Sequence, residues 1–455
     1  MVRLPRLRQP TPALATNAMR PFVLLFCVLL AVTSAQSARA DLPIPAAPND
    51  PLQVELLTMG PGEHPFFKFG HNAIRIRDTR RGTDAVYNYG TFSFNSPTLL
   101  QDFFKGRLKY WLSRETMGAT LAHYASEDRS LHAQRLALSP EQELELKRYL
   151  DQNARPENRA YKYDYFFDNC STRLRDALNH VTGGQLREAM RSPATQSLRN
   201  HALRVTSDYF LEYLVLTIGL GPMVDRRVDT WAEAFLPEML TDGVRHAKLR
   251  GEDGTVRPLV LAEQTLLEHQ DHRLAQPPRW LYNFLVAGVL SGVALFGLAK
   301  LSVKHRAARL SLGVLLTLGG FVVGLLGIGL VSLWALTDHA VAYRNQNLLL
   351  LSPLALFLPW YGVRLALRGS WIVADLRQIS LLLTASVALA LALKAFPIEQ
   401  QDNRVLIAFF GPCWAGLSLG SLLAARTAAK LGALRPDSTD PRENRTELAL
   451  PETKR

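Results

Sequence analysis

From Trp280 onward the chain carries apolar runs of spanning length at about 280–299, 310–336, 348–367, 379–396 and 405–425. A run that long and that apolar suits a bilayer better than a water-facing surface. In hydrocarbon each backbone N–H and C=O must be satisfied inside its own segment, so every such run is committed to helix. The spacing predicts an all-α bundle of five transmembrane helices over residues 280–429. A mean hydropathy near zero (+0.01) over the whole chain is then the average of this part and a soluble one.

The charges of the connections orient the bundle. Lys300, Lys304, Arg306 and Arg309 follow the first run, and Arg364, Arg368 and Arg377 surround the third connection. The other two connections hold only Arg344, and Lys394 with Arg404. Basic connections stay on the cytoplasmic side, which predicts residues 41–279 outside and the tail from Arg426 inside. The N-terminus agrees independently. Arg3, Arg6, Arg8 and Arg20 lead into the apolar stretch Pro21 to Val32 and then Ala38-Arg39-Ala40, the pattern of a cleaved signal peptide over residues 1–40.

The formal charge of +12 suggests a polyanion partner until it is located. Its excess sits in the signal segment, in the basic connections at 300–309 and 364–377, and in the tail from Arg426, of which 430–455 reads as a disordered cytoplasmic tail. No basic face is left for nucleic acid.

Residues 41–279 form one exported α+β domain by length and pattern. Leu52 to Met59, Phe69 to Arg77 and Val86 to Phe92 read as strands, the last two as a hairpin about Arg80-Arg81-Gly82-Thr83-Asp84. Helical periodicity follows at Pro97 to Phe104, Thr116 to Ser126 and Ser139 to Asn153, the last with Ser139 as N-cap and Pro140 in the first turn. YKYDYFFDNCSTRLRDAL reads as an aromatic strand that switches to helix at Asp168-Asn169.

Cysteine use makes that switch important. Of the three cysteines, Cys27 lies in the signal segment and Cys413 in an apolar run. Cys170 is left alone in a domain addressed to an oxidising compartment. A thiol in the first turn of a helix meets unpaired N–H groups and the positive end of the dipole, which favours the thiolate. A cysteine nucleophile also needs a base and a group to orient that base. His71 fits the base best: on an alternating strand it shares a face with Ala73 and Arg75, opposite Ile74 and Ile76. His64, His123 and His132 fit less well, lying on a turn and in helical stretches. For the orienting group the neighbouring strand offers Asn88, with Tyr89 as its competitor. Asn169 stands either to donate to an oxyanion beside the Cys170 N–H or to cap the helix. No metal-ligand spacing or phosphate loop is present, so no cofactor is expected.

FGHNAIRI, then VYNYGTF, then FFDNCSTRLRD, in an exported domain followed by five apolar helices, resembles the bacterial Lnb lipoprotein N-acyltransferase-like family. The segment GLGPMVDRRVDTWAEAFLPEML extends the resemblance. It implies a circularly permuted papain-like fold of the kind found in lecithin:retinol acyltransferase and NlpC-type proteins, in which the histidine precedes the cysteine. Carried over, it implies Cys170 as acyl-accepting nucleophile and His71 as its base, with Asn88 a weaker transfer. Relatives often place a second histidine where this chain has Asn88 and Tyr89, which leaves the third group open.

The expectation is a multi-pass protein of the bacterial inner membrane with a periplasmic domain. It would move an acyl chain from a membrane phospholipid ester to the N-terminal amine of a lipoprotein through a Cys170 thioester. A cell-wall cysteine peptidase or amidase and a non-enzymatic scaffold are the competing readings. The polar connection Thr337 to Asn347 reads either as an ordinary outer loop or as the floor of a membrane-facing site.

Overall fold

The computed structural model describes residues 52–431 apart from 94, 96, 252, 270–273, 369–371 and 397–399. The signal peptide, its cleavage site, Cys27 and the tail beyond residue 431 lie outside the described residues.

The N-terminal domain is built on a seven-stranded antiparallel sheet. Its strands are β1 (Leu52–Met59), β2 (His71–Asp78), β3 (Thr83–Thr91), β4 (Lys109–Glu115), β5 (Leu131–Leu136), β6 (Ala160–Lys162) and β9 (Val260–Leu267), in the order β6-β4-β3-β2-β1-β5-β9. β7 (Lys248–Arg250) and β8 (Val256–Pro258) form a separate two-stranded ribbon. The hairpin predicted from the pattern is β2–β3, with Ile74 opposite Tyr87 and Asp78 opposite Thr83. Asp78 Oδ1 accepts the N–H groups of Arg80 and Arg81, so the carboxylate at the strand end folds the turn.

Alternation divides the sheet into two buried faces. Val54, Leu56, Ile74, Ile76, Tyr87 and Tyr89 face the helices Pro140–Asn153 and Cys170–Val181. Leu57, Met59, Ala73, Val86 and Ala133 face the helix Met117–Ser126 on the other side. The helix Cys170–Val181 buries Leu174, Ala177, Leu178 and Val181 on one stripe. Each leucine contributes roughly 1.5–3 kcal/mol by burial. The helix at Pro140 begins with a capping box, Ser139 Oγ accepting from the Gln142 N–H and Gln142 returning its side-chain oxygen to the Ser139 N–H.

The aromatic run before Cys170 departs from expectation. Only Ala160–Lys162 pairs as a strand, because Asp164 Oδ1 accepts from the N–H groups of both Phe166 and Phe167 and turns the chain. An isolated bridge between Asp164 and Asp168 closes that turn.

Among the described residues four helices are long and apolar enough to cross a membrane: Leu281–Leu301, Arg306–Leu336, Asp375–Ala395 and Arg404–Lys430. The third expected span is broken. Ala340–Leu349 and Pro353–Leu367 are joined with a bend of 57°. Pro353 cannot continue a helix from Ser352, whose hydroxyl accepts from the Leu354 N–H, and the regular part, Phe357–Arg368, is only 12 residues. That is about 18 Å of helix, short of a hydrocarbon core. The broken segment nevertheless descends steadily along the helix Arg306–Leu336. A side chain on Gly327 would meet Leu351 and Pro353, one on Gly324 Leu356, one on Gly320 Leu358, and one on Gly313 Gly362. The bent pair therefore traverses the bundle instead of returning to the side from which it entered.

Candidate active site

Cys170 is the first residue of its helix and Asn169 is the cap. Asn169 Oδ1 accepts from the Thr172 N–H at 2.9 Å, while Thr172 Oγ1 accepts from the Asn169 N–H at 2.8 Å. The Asn169 amide nitrogen donates to the carbonyls of Tyr165 and Phe235. Of the two roles open to Asn169, the structure gives it the cap, with its side-chain donors already engaged. The Cys170 N–H has no acceptor among the described residues and is the donor left for a developing oxyanion.

His71 opens β2 at the same end of the sheet and its imidazole lies beside the Cys170 thiol in the same cavity, near enough to act on its charge. Burial pushes the thiol up; the His71 charge and hydrogen bond, the Asn72 N–H and the Ser171 hydroxyl more than offset it, leaving the thiol at about 7 against an ordinary 9.0. The sulfur is thus poised to be a thiolate at neutral pH. Gly90 of β3 lies between the two: a Cβ there would stand 3.5 Å from Cys170 Cβ and 3.8 Å from His71 Cε1, and its φ of +92° favours glycine.

A chain of buried side chains holds this corner. Thr241 and Thr58 share a hydroxyl hydrogen bond, Asn72 Nδ2 donates to Thr58 Oγ1 at 3.0 Å, and Ser171 Oγ donates to Asn72 Oδ1 at 2.8 Å. The strand bearing the histidine and the helix bearing the cysteine are thereby locked together.

The third group is less direct. The β2–β3 pairing ends at Ile74 opposite Tyr87 and β3 bulges between Asn88 and Thr91, so no hydrogen bond joins Asn88 to His71 among the described residues. Asn88 is buried and lines the cavity that holds His71 and Cys170. Tyr89 points to the opposite face, edge-on to Tyr161 with ring centroids 6.0 Å apart, and belongs to the core instead of the site. His64 and His132 do not line the cavity; His123 does, on its far wall.

That cavity encloses about 320 Å³. Phe69, Phe92, Tyr110, Tyr163, Tyr165 and Phe235 wall the side near the sulfur, with Tyr163 stacked on Tyr110 at 4.0 Å. Burial holds the Tyr110 hydroxyl up at about 12, so it stays neutral beside the thiol. Nothing in the sequence pattern singled out Gly90, Glu115, Arg129 or this aromatic wall. The run YKYDYFF carried the signal for the wall, read as a strand.

Residues 45–202 match the family described as the Lnb N-terminal periplasmic domain. The N-terminal domain is of the Lnb type. Comparison with curated proteins and with solved structures gives no match. The match ends within the helix Leu198–Val205, so β9, which completes the Lnb-type sheet beside β5, comes from outside it. A periplasmic-type domain followed by four or five apolar helices makes this a membrane protein.

The Lnb-type domain is fixed to the helices through the connection after the helix Arg306–Leu336. Asp338 accepts from Arg107 Nε at 3.0 Å and Lys162 Nζ at 2.9 Å, which holds its carboxyl down at about 2. Asn345 donates to the carbonyls of Ile218 and Gly219, Asn347 to those of Thr217 and Ile218, and Gln401 to that of Leu220. These are the free carbonyls at the end of the helix Phe210–Gly219, satisfied by side chains from the membrane part. The connection expected as a loop or a floor is the joint between the two parts.

Proposed function

We propose that this protein is a cysteine-dependent acyltransferase of the bacterial inner membrane, with the Lnb-type domain in the periplasm and the C-terminus in the cytoplasm. It moves an acyl chain from a lipid ester to the N-terminal amine of a lipoprotein. The observation that carries the reading is a buried thiol at about 7 beside His71, facing an aromatic-walled cavity in a domain fixed to spanning helices.

The chemistry follows from those parts. The Cys170 thiolate attacks the ester carbonyl carbon, the Cys170 N–H meets the oxyanion, and the carbon–oxygen bond to glycerol breaks. The alcohol leaves with the proton from the His71 imidazolium. An amine then attacks the thioester, the carbon–nitrogen bond forms, the carbon–sulfur bond breaks, and His71 takes the amine proton. Asn88 is the group of the cavity available to orient the imidazole once a substrate fills it. A permuted papain-like arrangement is supported by the order of His71 before Cys170 and by a helix-start cysteine packed on an antiparallel sheet.

Mass spectrometry of the full-length protein in phospholipid micelles tests this. An acyl mass addition on the Cys170 peptide, absent in Cys170→Ala and sensitive to hydroxylamine, is the expected result. Cleavage of a cell-wall peptide with no acyl adduct would replace this reading with the peptidase one. Full lipoprotein acylation by Cys170→Ala would remove the thiol from the reaction.

A further inference from the structure

The helix Phe210–Gly219 is apolar but too short to cross a membrane, since its 10 residues cover about 15 Å. Both of its ends are fastened to the membrane part. At its start the Phe210 ring meets Trp280 at 5.5 Å and Phe284 at 6.3 Å, where the first spanning helix begins. At its end the carbonyls of Thr217, Ile218 and Gly219 accept from Asn345 and Asn347. The helix is therefore held against the domain-side ends of the spanning helices.

Helical spacing puts Leu211, Val215 and Ile218 on one stripe, at i, i+4 and i+7. Ile218 packs on the core of the spanning helices, which fixes the direction of that stripe. One and two turns back, Val215 and Leu211 clear the bundle and are 58% and 71% exposed. Leu216, on another side, packs on the domain cluster of Phe166, Leu198 and Phe235, and Tyr213 and Thr217 are buried. The helix thus has the domain on one side and, on another, an apolar edge that runs out past the bundle.

Its depth follows from the aromatic residues beside it. Trp280 and Tyr282 open the first spanning helix, Tyr282 being 74% exposed, and such residues mark the membrane–water boundary. Contact with Trp280 brings Phe210 to that level. Large apolar side chains exposed there, on the stripe that Ile218 turns toward the spanning helices, suit the acyl boundary of a leaflet better than water.

We propose that the helix Phe210–Gly219 lies in the headgroup–acyl boundary of the leaflet on the domain's side, with Leu211 and Val215 among the lipid chains. Its partner is the lipid of that leaflet, and the interaction holds whether or not the thiol transfers an acyl chain. The helix is also joined to the thiol cavity. Tyr209, its first cap, donates to Glu63 at 3.1 Å, and the Lys68 ammonium lies 4.2 Å over its ring. The same loop supplies Phe67 and Phe69 to the cavity wall, which ties that wall to a helix embedded in lipid.

The test places p-benzoylphenylalanine singly at Leu211, Val215, Tyr209 and Val293 of the full-length protein in palmitoyl-oleoyl phosphatidylcholine nanodiscs. After irradiation the peptides are saponified and weighed, so that a fatty-acid mass left on a peptide marks contact with a lipid chain. Labelling of Cys170 by iodoacetamide at the wild-type rate certifies each variant as folded. Val293 is 65% exposed within the helix Leu281–Leu301 and serves as the positive control. Leu211 and Val215 should carry the same fatty-acid mass, whereas Tyr209 should crosslink to the Glu63–Lys68 loop. A glycerophosphocholine mass in its place would set the stripe above the chains and overturn the assigned depth. Attachment to a second copy of the chain would make the stripe a subunit contact. Acyl labelling at Tyr209 equal to that at Leu211 would remove the assigned orientation. With Val293 labelled, the absence of any lipid mass at both Leu211 and Val215 would show the stripe in water and end the proposal.

Discussion

The side chain of Asn72 accepts from Ser171, the residue after Cys170, at 2.8 Å and donates to Thr58 of β1 at 3.0 Å. One residue of β2 therefore ties the helix start to the sheet, while the residue before it, His71, lines the cavity with the thiol. Geometry of this kind makes a thiol reactive without a metal ligand or a disulfide partner near it.

Alkylation of Cys170 by iodoacetamide should rise with pH to a plateau with a midpoint near 7, since the thiolate is the reacting form and the thiol sits at about 7. Without the imidazole, burial is the dominant influence and acts in the opposite sense. In His71→Ala the midpoint should therefore move upward past the ordinary thiol value, and a midpoint that stays near 7 would show that His71 does not hold the charge.

Asn72→Ala removes a side chain that is fully buried and bonded to Thr58 and Ser171. It should cost about 1–3 kcal/mol in denaturant unfolding, the penalty for stranding buried hydroxyls. The main-chain N–H survives this change. The alkylation midpoint should stay close to that of the wild type, which separates the stability role of the side chain from the electrostatic role of the backbone.

Gly90→Ala places a methyl group between Cys170 and His71 at a φ of +92°. Backbone strain of about 1 kcal/mol is expected at such a position. The larger effect should be on chemistry, with acyl-Cys170 formation reduced at least tenfold while the unfolding midpoint drops only modestly. Equal labelling of Gly90→Ala and wild type would show that no substrate atom passes this point.

Asn347→Ala deletes two donors to the end of the helix Phe210–Gly219 at a fully buried position. Asn345 still reaches the Ile218 carbonyl, but leaving that of Thr217 without its side-chain donor should cost about 1–3 kcal/mol at the joint. In calorimetry of the detergent-solubilised protein, the Lnb-type domain should then melt separately from the helices. A single unchanged transition would mean that the joint is held elsewhere.

The parts of the fold that were legible were those written in local pattern. The β2–β3 hairpin followed from alternation and a turn, and the helix at Ser139 from its cap; the helix start at Cys170 announced itself at Asp168-Asn169. His71 opens β2 as the strand reading expects. What was hidden depends on partners distant in the chain. The register shift between Asn88 and Thr91 interrupts the β3–β4 pairing, and no pattern in VYNYGTF marks it. Asn169 reads equally as donor or cap until Tyr165 and Phe235 bring their carbonyls to it. Arg129 looks like any surface arginine until Gly60, Tyr124 and Phe67 close around it. The third span carried the composition of a helix, and only the Ser352-Pro353 pair hinted at its break.

Lys162, which grips Asp338, lies between Tyr161 and Tyr163, and Tyr163 forms part of the wall beside the sulfur. The thiol is thus held at a set distance from the spanning helices, with no slack tether on which the domain could roam. On the acyl-transfer reading, reach as much as recognition would then select which molecules arrive.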